Sequence, residues 1–101
     1  MKNFPKKFSL NIFGQKTPVK VTKELPDHLA GIYRIREKDI LISEGQTKDD
    51  AIMTMLHELT HAVFRRAGLS QSVEHDLEEV IAEQMSIAIH ENFNLSLKKR
   101  R

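Results

Sequence analysis

The first half of the chain alternates apolar and polar residues with a period of two, the pattern of β-strands. Two such runs, 8–13 and 19–22, are separated by the turn-forming sequence Gly-Gln-Lys-Thr and predict a hairpin over residues 8–23. Two further runs, 32–36 and 40–43, are rich in isoleucine, are separated by three charged residues, and predict a second hairpin. We therefore expect about four short antiparallel strands.

The second half has the periodicity of helices. Thr47 is a candidate N-cap with two aspartates close behind it, and neither Gly nor Pro follows until Gly68, so a helix is predicted over residues 47–67. At 100° per residue, this helix has a broad apolar face, which predicts that it is central and buried. The residues of that face are Ile52, Met55, Leu56, Leu59 and Val63.

A second helix is predicted from a cap at Ser70 or Ser72 to about Phe93. The tight connection at residues 68–70 requires it to fold back antiparallel to the first helix. Its apolar residues share one face: Val73, Leu77, Val80, Ile81 and Ala88. The expected fold class is therefore α+β, with a small antiparallel sheet followed by two antiparallel helices in one domain, residues 1–97, and a basic tail, residues 98–101.

Composition limits the compartment and the chemistry. A chain of 101 residues has room for one core. It has no cysteine, which excludes disulfides, thiolate zinc sites and a cysteine nucleophile, and which suits a reducing compartment. The sequence has no secretory h-region and no apolar run near the roughly 18 residues of a membrane span. We expect a cytoplasmic protein without a membrane partner.

The net charge of +2 combines blocks of different sign. Residues 1–48 are basic, residues 49–97 are acidic, and the last four residues are Lys-Lys-Arg-Arg. The basic tail raises the alternative of a nucleic-acid-associated protein. Because the tail is short, terminal and without aromatic residues that could stack on bases, we do not expect nucleic acid to be the main partner.

The sequence His57-Glu58-Leu59-Thr60-His61 in the middle of the first helix carries the clearest chemistry. Residues four apart lie one turn above each other, so both imidazoles can reach one metal ion. As ordinary buried histidines they would each need partners for both ring nitrogens. Glu58 lies about 100° round the helix, where it is better placed to contact an activated water than to bind the metal itself. We expect His57 and His61 to be zinc ligands and Glu58 to be a catalytic base.

The third ligand has to come from elsewhere, because the position six residues after His61 is Ala67 and not a further histidine. The second helix carries several acidic residues, and a carboxylate would complete the site. We expect Glu79 to be the third ligand, with Glu83 and then Glu78 as alternatives. Since Glu78 points about 100° away from Glu79, we expect it to be exposed.

These residues resemble the gluzincin metallopeptidases, in particular the minimal phage- and prophage-type proteins related to the ImmA/IrrE peptidases. The resemblance covers about residues 31–93 and includes a strand, a helix with His-Glu-x-x-His, and a second helix with a glutamate. In that family the ligand glutamate is followed three residues on by a small residue and four on by a polar residue that can orient a ligand histidine. Glu79, Ala82 and Glu83 fit this pattern. The resemblance implies a zincin-like fold and a zinc-dependent peptidase.

Taken together, these features predict hydrolysis of a peptide or protein substrate at a zinc ion, with Glu58 as general base. The strand at residues 40–43 is a candidate sheet edge for an extended peptide. Candidate donors to the oxyanion are Tyr33, His75 and His90. The alternative from another class is a zinc-containing module that binds a protein partner without cleaving it.

Overall fold

The computed structural model describes residues 4–93 and 95, in which four strands precede two helices. The strands are β1 (Lys7–Ile12), β2 (Gln15–Thr22), β3 (Gly31–Arg34) and β4 (Asp39–Ser43); the helices are α1 (Lys48–Arg66) and α2 (His75–Asn92), with a short 3-10 helix, Leu69–Gln71, between them. The predicted α+β class and the order of the elements are confirmed. The basic tail, residues 98–101, lies outside the described residues.

The four strands form one mixed sheet in the order β1-β2-β4-β3. Both predicted hairpins are present, but they join through β2 and β4, which run parallel, so the prediction of a purely antiparallel sheet is wrong. The physical reason is burial: Ile40 and Ile42 of β4 are fully buried, which favours a central position with a strand on each side. The chain after Thr22 therefore passes to the outer side of the sheet before it forms β3.

Helix α1 packs its apolar face on the sheet. The hydroxyl of Thr47 accepts a 3.1 Å hydrogen bond from the amide of Asp50, and Gly68 follows the helix in the left-handed conformation (φ 77°), as the sequence predicts. The buried core joins the two hairpins to this helix: Phe4, Val19, Ile40, Ile42, Ala51, Ile52, Met55 and Leu56. Helix α1 also contacts α2 and β3, so it is central to the fold.

Helix α2 begins later than the sequence suggests. Its first residue is His75 and its N-cap position is Glu74, whereas Ser70 lies in the 3-10 helix and neither Ser70 nor Ser72 caps α2. The hydroxyl of Ser70 instead donates to the side chain of Glu78. The serine is therefore used to hold an acidic residue of the helix.

The rotation of α2 also differs from the apolar face read from its sequence. Leu77 and Val80 are 52% and 56% exposed, while Glu78, Ala82 and Ser86 are buried. The small residues Ala82 and Ser86 can be covered by α1 at close range, and this orientation turns the carboxylates toward α1. Within the part of the chain that the structure describes, no helix has the length and apolarity to cross a membrane.

Candidate metal centre

The two histidines of α1 and Glu79 of α2 point their side chains at one place. Nε2 of His57 lies 3.3 Å from Nε2 of His61. The carboxylate of Glu79 lies between them, with Oε1 2.7 Å from Nε2 of His61 and Oε2 3.5 Å from Nε2 of His57. One donor atom from each of the three residues lies within 4.8 Å of the others. The structure thus brings together the three residues that the sequence proposes as metal ligands.

Each histidine has a further carboxylate at its other ring nitrogen. Oε2 of Glu78 lies 2.5 Å from Nδ1 of His61, and Oε2 of Glu83 lies 3.3 Å from Nδ1 of His57. A neutral imidazole that donates from Nδ1 keeps its lone pair at Nε2. The hydrogen bond to Glu78 therefore favours the tautomer of His61 in which Nε2 can bind a metal ion, and the negative charge of Glu83 near Nδ1 of His57 favours the same tautomer there.

The prediction that Glu78 is exposed is wrong, because its side chain is buried against His61. Glu78 is only 8% exposed, and the hydroxyl of Ser70 donates a 2.7 Å hydrogen bond to its Oε1. Glu78 and Glu79 differ by 100° on the helix, but their long side chains reach different nitrogens of the same imidazole. Burial raises the pKa of Glu78, yet the hydrogen bonds from His61 and Ser70 outweigh it, and the pKa lies below its ordinary value.

Glu58 lies beside this group and has a partner of its own. The backbone amide of Tyr33 in β3 donates a 3.0 Å hydrogen bond to its Oε1. Burial raises the pKa of Glu58 above its ordinary value, although the neighbouring histidines and the amide act in the opposite direction. A carboxylate with a raised pKa is a stronger base, and one of its oxygens is held by the backbone.

A close approach between β3 and α1 makes this hydrogen bond possible, and Gly31 allows it. A Cβ atom at Gly31 would lie 2.6 Å from Cγ2 of Thr54 and 3.0 Å from the carbonyl oxygen of Leu41. Any larger residue would therefore press β3 away from the helix. Gly31 is the first residue of β3 and directly precedes the run 32–36 that the sequence predicts as a strand.

Two cavities flank the site, one on each side of Glu58. The larger has a volume of about 550 Å³ and lies next to His61 and Glu79, and the smaller, of about 430 Å³, lies next to Glu83 and Ser86. Gly31, His57 and Glu58 line both cavities. The site is therefore open to a ligand longer than a single residue.

Two of the three candidate oxyanion donors lie at the cleft formed by the two cavities beside Glu58. Tyr33 and His75 line the larger cavity. His90 instead has its Nε2 atom 3.9 Å from Oδ1 of Asp49, in the first turn of α1, and it lines neither cavity beside Glu58. His90 is therefore not placed to contact a substrate at Glu58.

The donor set fits zinc. Two imidazole nitrogens and one carboxylate oxygen are a ligand set of catalytic zinc sites, in which a further position stays available for water or substrate. The outer carboxylates on both imidazoles are the usual surroundings of such ligands. This arrangement is suited to hydrolysis of a bond whose carbonyl can be polarised.

In comparisons with protein-family models, with curated proteins and with solved structures, none matches this chain. The resemblance to the gluzincins accordingly rests on the residues of the His57–His61 motif and of the following helix.

Proposed function

We propose that this protein is a zinc-dependent metallopeptidase, with His57, His61 and Glu79 as zinc ligands and Glu58 as general base. The observation that carries the proposal is the convergence of both Nε2 atoms on the carboxylate of Glu79, with Glu58 on the adjoining face of the same helix. The proposal includes a zincin-like arrangement of strand and helices, similar to that of the gluzincins.

The chain's own residues prepare the site for the metal. When bound, zinc supplies a Lewis acid that polarises a carbonyl and activates water near neutral pH. Glu78 accepts a hydrogen bond from Nδ1 of His61 and so fixes the orientation and tautomer of that imidazole, and the carboxylate of Glu83 lies 3.3 Å from Nδ1 of His57. Ser70 in turn holds Glu78.

Glu58 has the position and the basicity of a proton acceptor. The amide of Tyr33 binds Oε1, which leaves Oε2 to take a proton from the attacking water. Partial burial raises the pKa of Glu58, so its carboxylate holds a proton more readily than an exposed glutamate does. The same carboxyl group can then pass this proton to the leaving amine.

The strand beside Glu58 offers backbone groups to an extended peptide. The sequence interpretation assigned this role to residues 40–43, but β4 lies between β2 and β3, so that assignment is wrong. β3 is one of the two edge strands, and its residues Gly31 and Tyr33 line the larger cavity beside Glu58. Because the amide of Tyr33 is already bound to Glu58, a peptide along the outer edge of β3 would pair with the remaining outward backbone groups of the strand and cross the site between the two cavities.

The state of Glu58 favours an enzyme over a zinc-containing binding module. A module that only docks a partner has no need of a partly buried carboxylate next to its metal ligands, and withdrawing such a group from water costs free energy. A compartment that keeps thiols reduced, such as the cytoplasm, is consistent with the absence of cysteine.

Metal analysis of the purified protein tests the zinc site directly. We expect about one zinc per chain, and loss of the metal in the His57→Ala/His61→Ala double variant. The matched control is His28→Ala/His90→Ala, which removes two histidines that lie outside the cluster. Full zinc occupancy in the first double variant would contradict the site.

A further inference from the structure

Two residues with unfavourable backbone conformations line the same cavity, away from the proposed ligands. Phe13 (φ 51°) and Lys38 (φ 56°) are the two non-glycine residues with positive φ among the residues that the structure describes. Each lies in a turn of a different hairpin, and both line a cavity of about 400 Å³. Such conformations cost free energy and concentrate at binding and catalytic sites.

This cavity, which we name the basic pocket, is lined by Phe13, Lys38, Arg65, Arg66 and Tyr33 together with Ile35 and others. No aspartate or glutamate is among its described lining residues. The ring of Phe13 is 69% exposed there. Nε and Nη1 of Arg66 are shielded from solvent and have no hydrogen-bond partner among the described residues. Unpaired buried polar atoms are unfavourable, and an anion bound beside Lys38, Arg65 and Arg66 would offset part of this cost through its charge.

The three cations come from two separate parts of the fold, Lys38 from the turn between β3 and β4, and Arg65 and Arg66 from the end of α1. Because β2 and β4 are parallel neighbours and each follows its hairpin turn, both turns lie at the same end of the sheet. The last turn of α1, with Arg65 and Arg66, reaches that end as well. Interaction with the helix dipole accounts for cations in the last turn, but not for Lys38 in a strained turn of the sheet.

The basic pocket adjoins the cleft at Glu58. The larger cavity beside the metal ligands and the basic pocket share Tyr33, Ile35 and Arg65. Strand β3 leads from Tyr33, whose amide binds Glu58, toward Lys38. At about 3.3 Å per residue, a peptide along β3 would reach the pocket roughly two to four residues from the bond at Glu58.

We propose that the basic pocket is a subsite for an acidic side chain of a peptide bound along β3. This inference rests on the proposed peptidase function and specifies its substrate class. A polyanion such as nucleic acid fits less well, because the adjoining cleft carries the carboxylates of Glu58, Glu78 and Glu79. A single carboxylate can occupy the pocket without approaching those groups.

The test measures binding separately from cleavage. Fluorescence anisotropy with the Glu58→Gln protein compares an eight-residue labelled peptide carrying glutamates with the same peptide carrying glutamines, and with a labelled thymidine octanucleotide. We expect the glutamate peptide to bind at least about tenfold more tightly than the glutamine peptide, since charge-assisted hydrogen bonds are stronger than neutral ones. The octanucleotide should bind more weakly than the glutamate peptide.

Two substitutions separate the pocket's role from folding. Lys38→Asn and Phe13→Asn place a residue that tolerates positive φ in each turn, so neither should lower the melting temperature. Lys38→Asn should nevertheless reduce the preference for glutamate several-fold, and Phe13→Asn should weaken binding of the glutamate peptide. The matched control is Lys48→Ala, an exposed cation at the opposite end of α1, which should change neither.

The possible outcomes distinguish the pocket from the peptidase. Equal binding of the two peptides, tighter binding of the octanucleotide, or no effect of Lys38→Asn would overturn the acidic subsite. Cleavage by the wild-type protein without preference for acidic residues would also overturn the subsite and leave the peptidase in place. Preference in binding that depends on Lys38, without cleavage of any peptide, would support the subsite and count against the peptidase.

Discussion

Oε2 of Glu78 lies 2.5 Å from Nδ1 of His61, so a residue directly before a proposed metal ligand supports a second one. Glu78 is held there by Ser70 and buried by the packing of α2 on α1. In the proposed zinc site, the affinity for the metal should therefore depend on two adjacent glutamates that contact opposite nitrogens of one imidazole.

Replacement of Glu78 is expected to weaken zinc binding although Glu78 is not itself a proposed ligand. Glu78→Ala should lower zinc affinity by about 10–100-fold, because Nδ1 of His61 loses its acceptor. Glu78→Gln, which keeps an acceptor oxygen, should restore part of the loss. Competition with a chelating dye measures both, with the exposed Asp76→Ala as control; an unchanged affinity in Glu78→Ala would remove this residue from the site.

The three glutamates of α2 are expected to differ in their effect on zinc. Glu79→Ala should lose at least about 100-fold in affinity, more than either residue that contacts an outer nitrogen. Glu83→Ala should show the smallest loss, since the side chain of Glu83 is 55% exposed and its carboxylate lies 3.3 Å from Nδ1 of His57. The same dye titration ranks the three variants, and a larger loss in Glu83→Ala than in Glu79→Ala would exchange their roles.

Gly31→Ala is expected to destabilise the fold and disturb Glu58 together. The added methyl group would meet Thr54 and the backbone of Leu41, which should cost about 1–3 kcal/mol in the free energy of unfolding. Chemical denaturation measures this loss. Adding Thr54→Ser removes the closer of the two contacts and should recover part of it. No recovery in the double variant would mean that the contact with Thr54 is not the cause.

The ion pair between Arg34 and Asp39 predicts a dependence of stability on pH. The guanidinium donates hydrogen bonds of 2.7 and 2.6 Å to the carboxylate, and these bonds hold the pKa of Asp39 below its ordinary value. Because the pKa of Asp39 is lower in the folded than in the unfolded protein, its ionised carboxylate stabilises the fold. This contribution is complete above the unfolded pKa, about 3.9, and is lost as the pH falls through the folded pKa. Asp39→Asn should therefore be less stable than wild type at pH 6, by on the order of 1–2 kcal/mol.

That difference should shrink as the pH falls below about 4. Urea denaturation at several pH values measures it. Arg34→Met provides the reference, because Asp39→Asn should have a much smaller effect when the guanidinium is absent. The same pH-dependent difference in the Arg34→Met background would show that another group is responsible.

The local parts of the fold could be predicted from the sequence. The alternation in the two hairpins, the cap at Thr47 and the stop at Gly68 each depend on residues that are close in the chain. The pairing of β4 with β2 could not be predicted in the same way, because it joins two strands that are far apart in the chain. The same limit applies to the orientation of α2, which is set by contacts with α1.

The candidate site also has parts that could be predicted from the sequence and parts that could not. The spacing of His57 and His61 is a local property of one helix, and Glu79 lies beside both of them as proposed. The contact of Glu78 with His61 could not be predicted, because it depends on how α2 is rotated against α1. The sequence indicates only that the outer nitrogen of a ligand histidine needs a hydrogen-bond acceptor. The hydrogen bond from the backbone amide of Tyr33 to Glu58 could not be predicted from residue types, since every residue except proline has a backbone N–H.

Hydrolysis by Glu58→Gln at matched zinc content is the most direct test of the central claim. The substitution preserves the shape of the side chain and its bond to the amide of Tyr33, and it removes the proton acceptor. The account predicts that zinc-loaded wild-type protein cleaves peptides from a library and that Glu58→Gln, with the same zinc content, is slower by roughly 100-fold or more. Equal rates of cleavage by the two proteins, or no cleavage by the zinc-loaded wild type across the library, would contradict it.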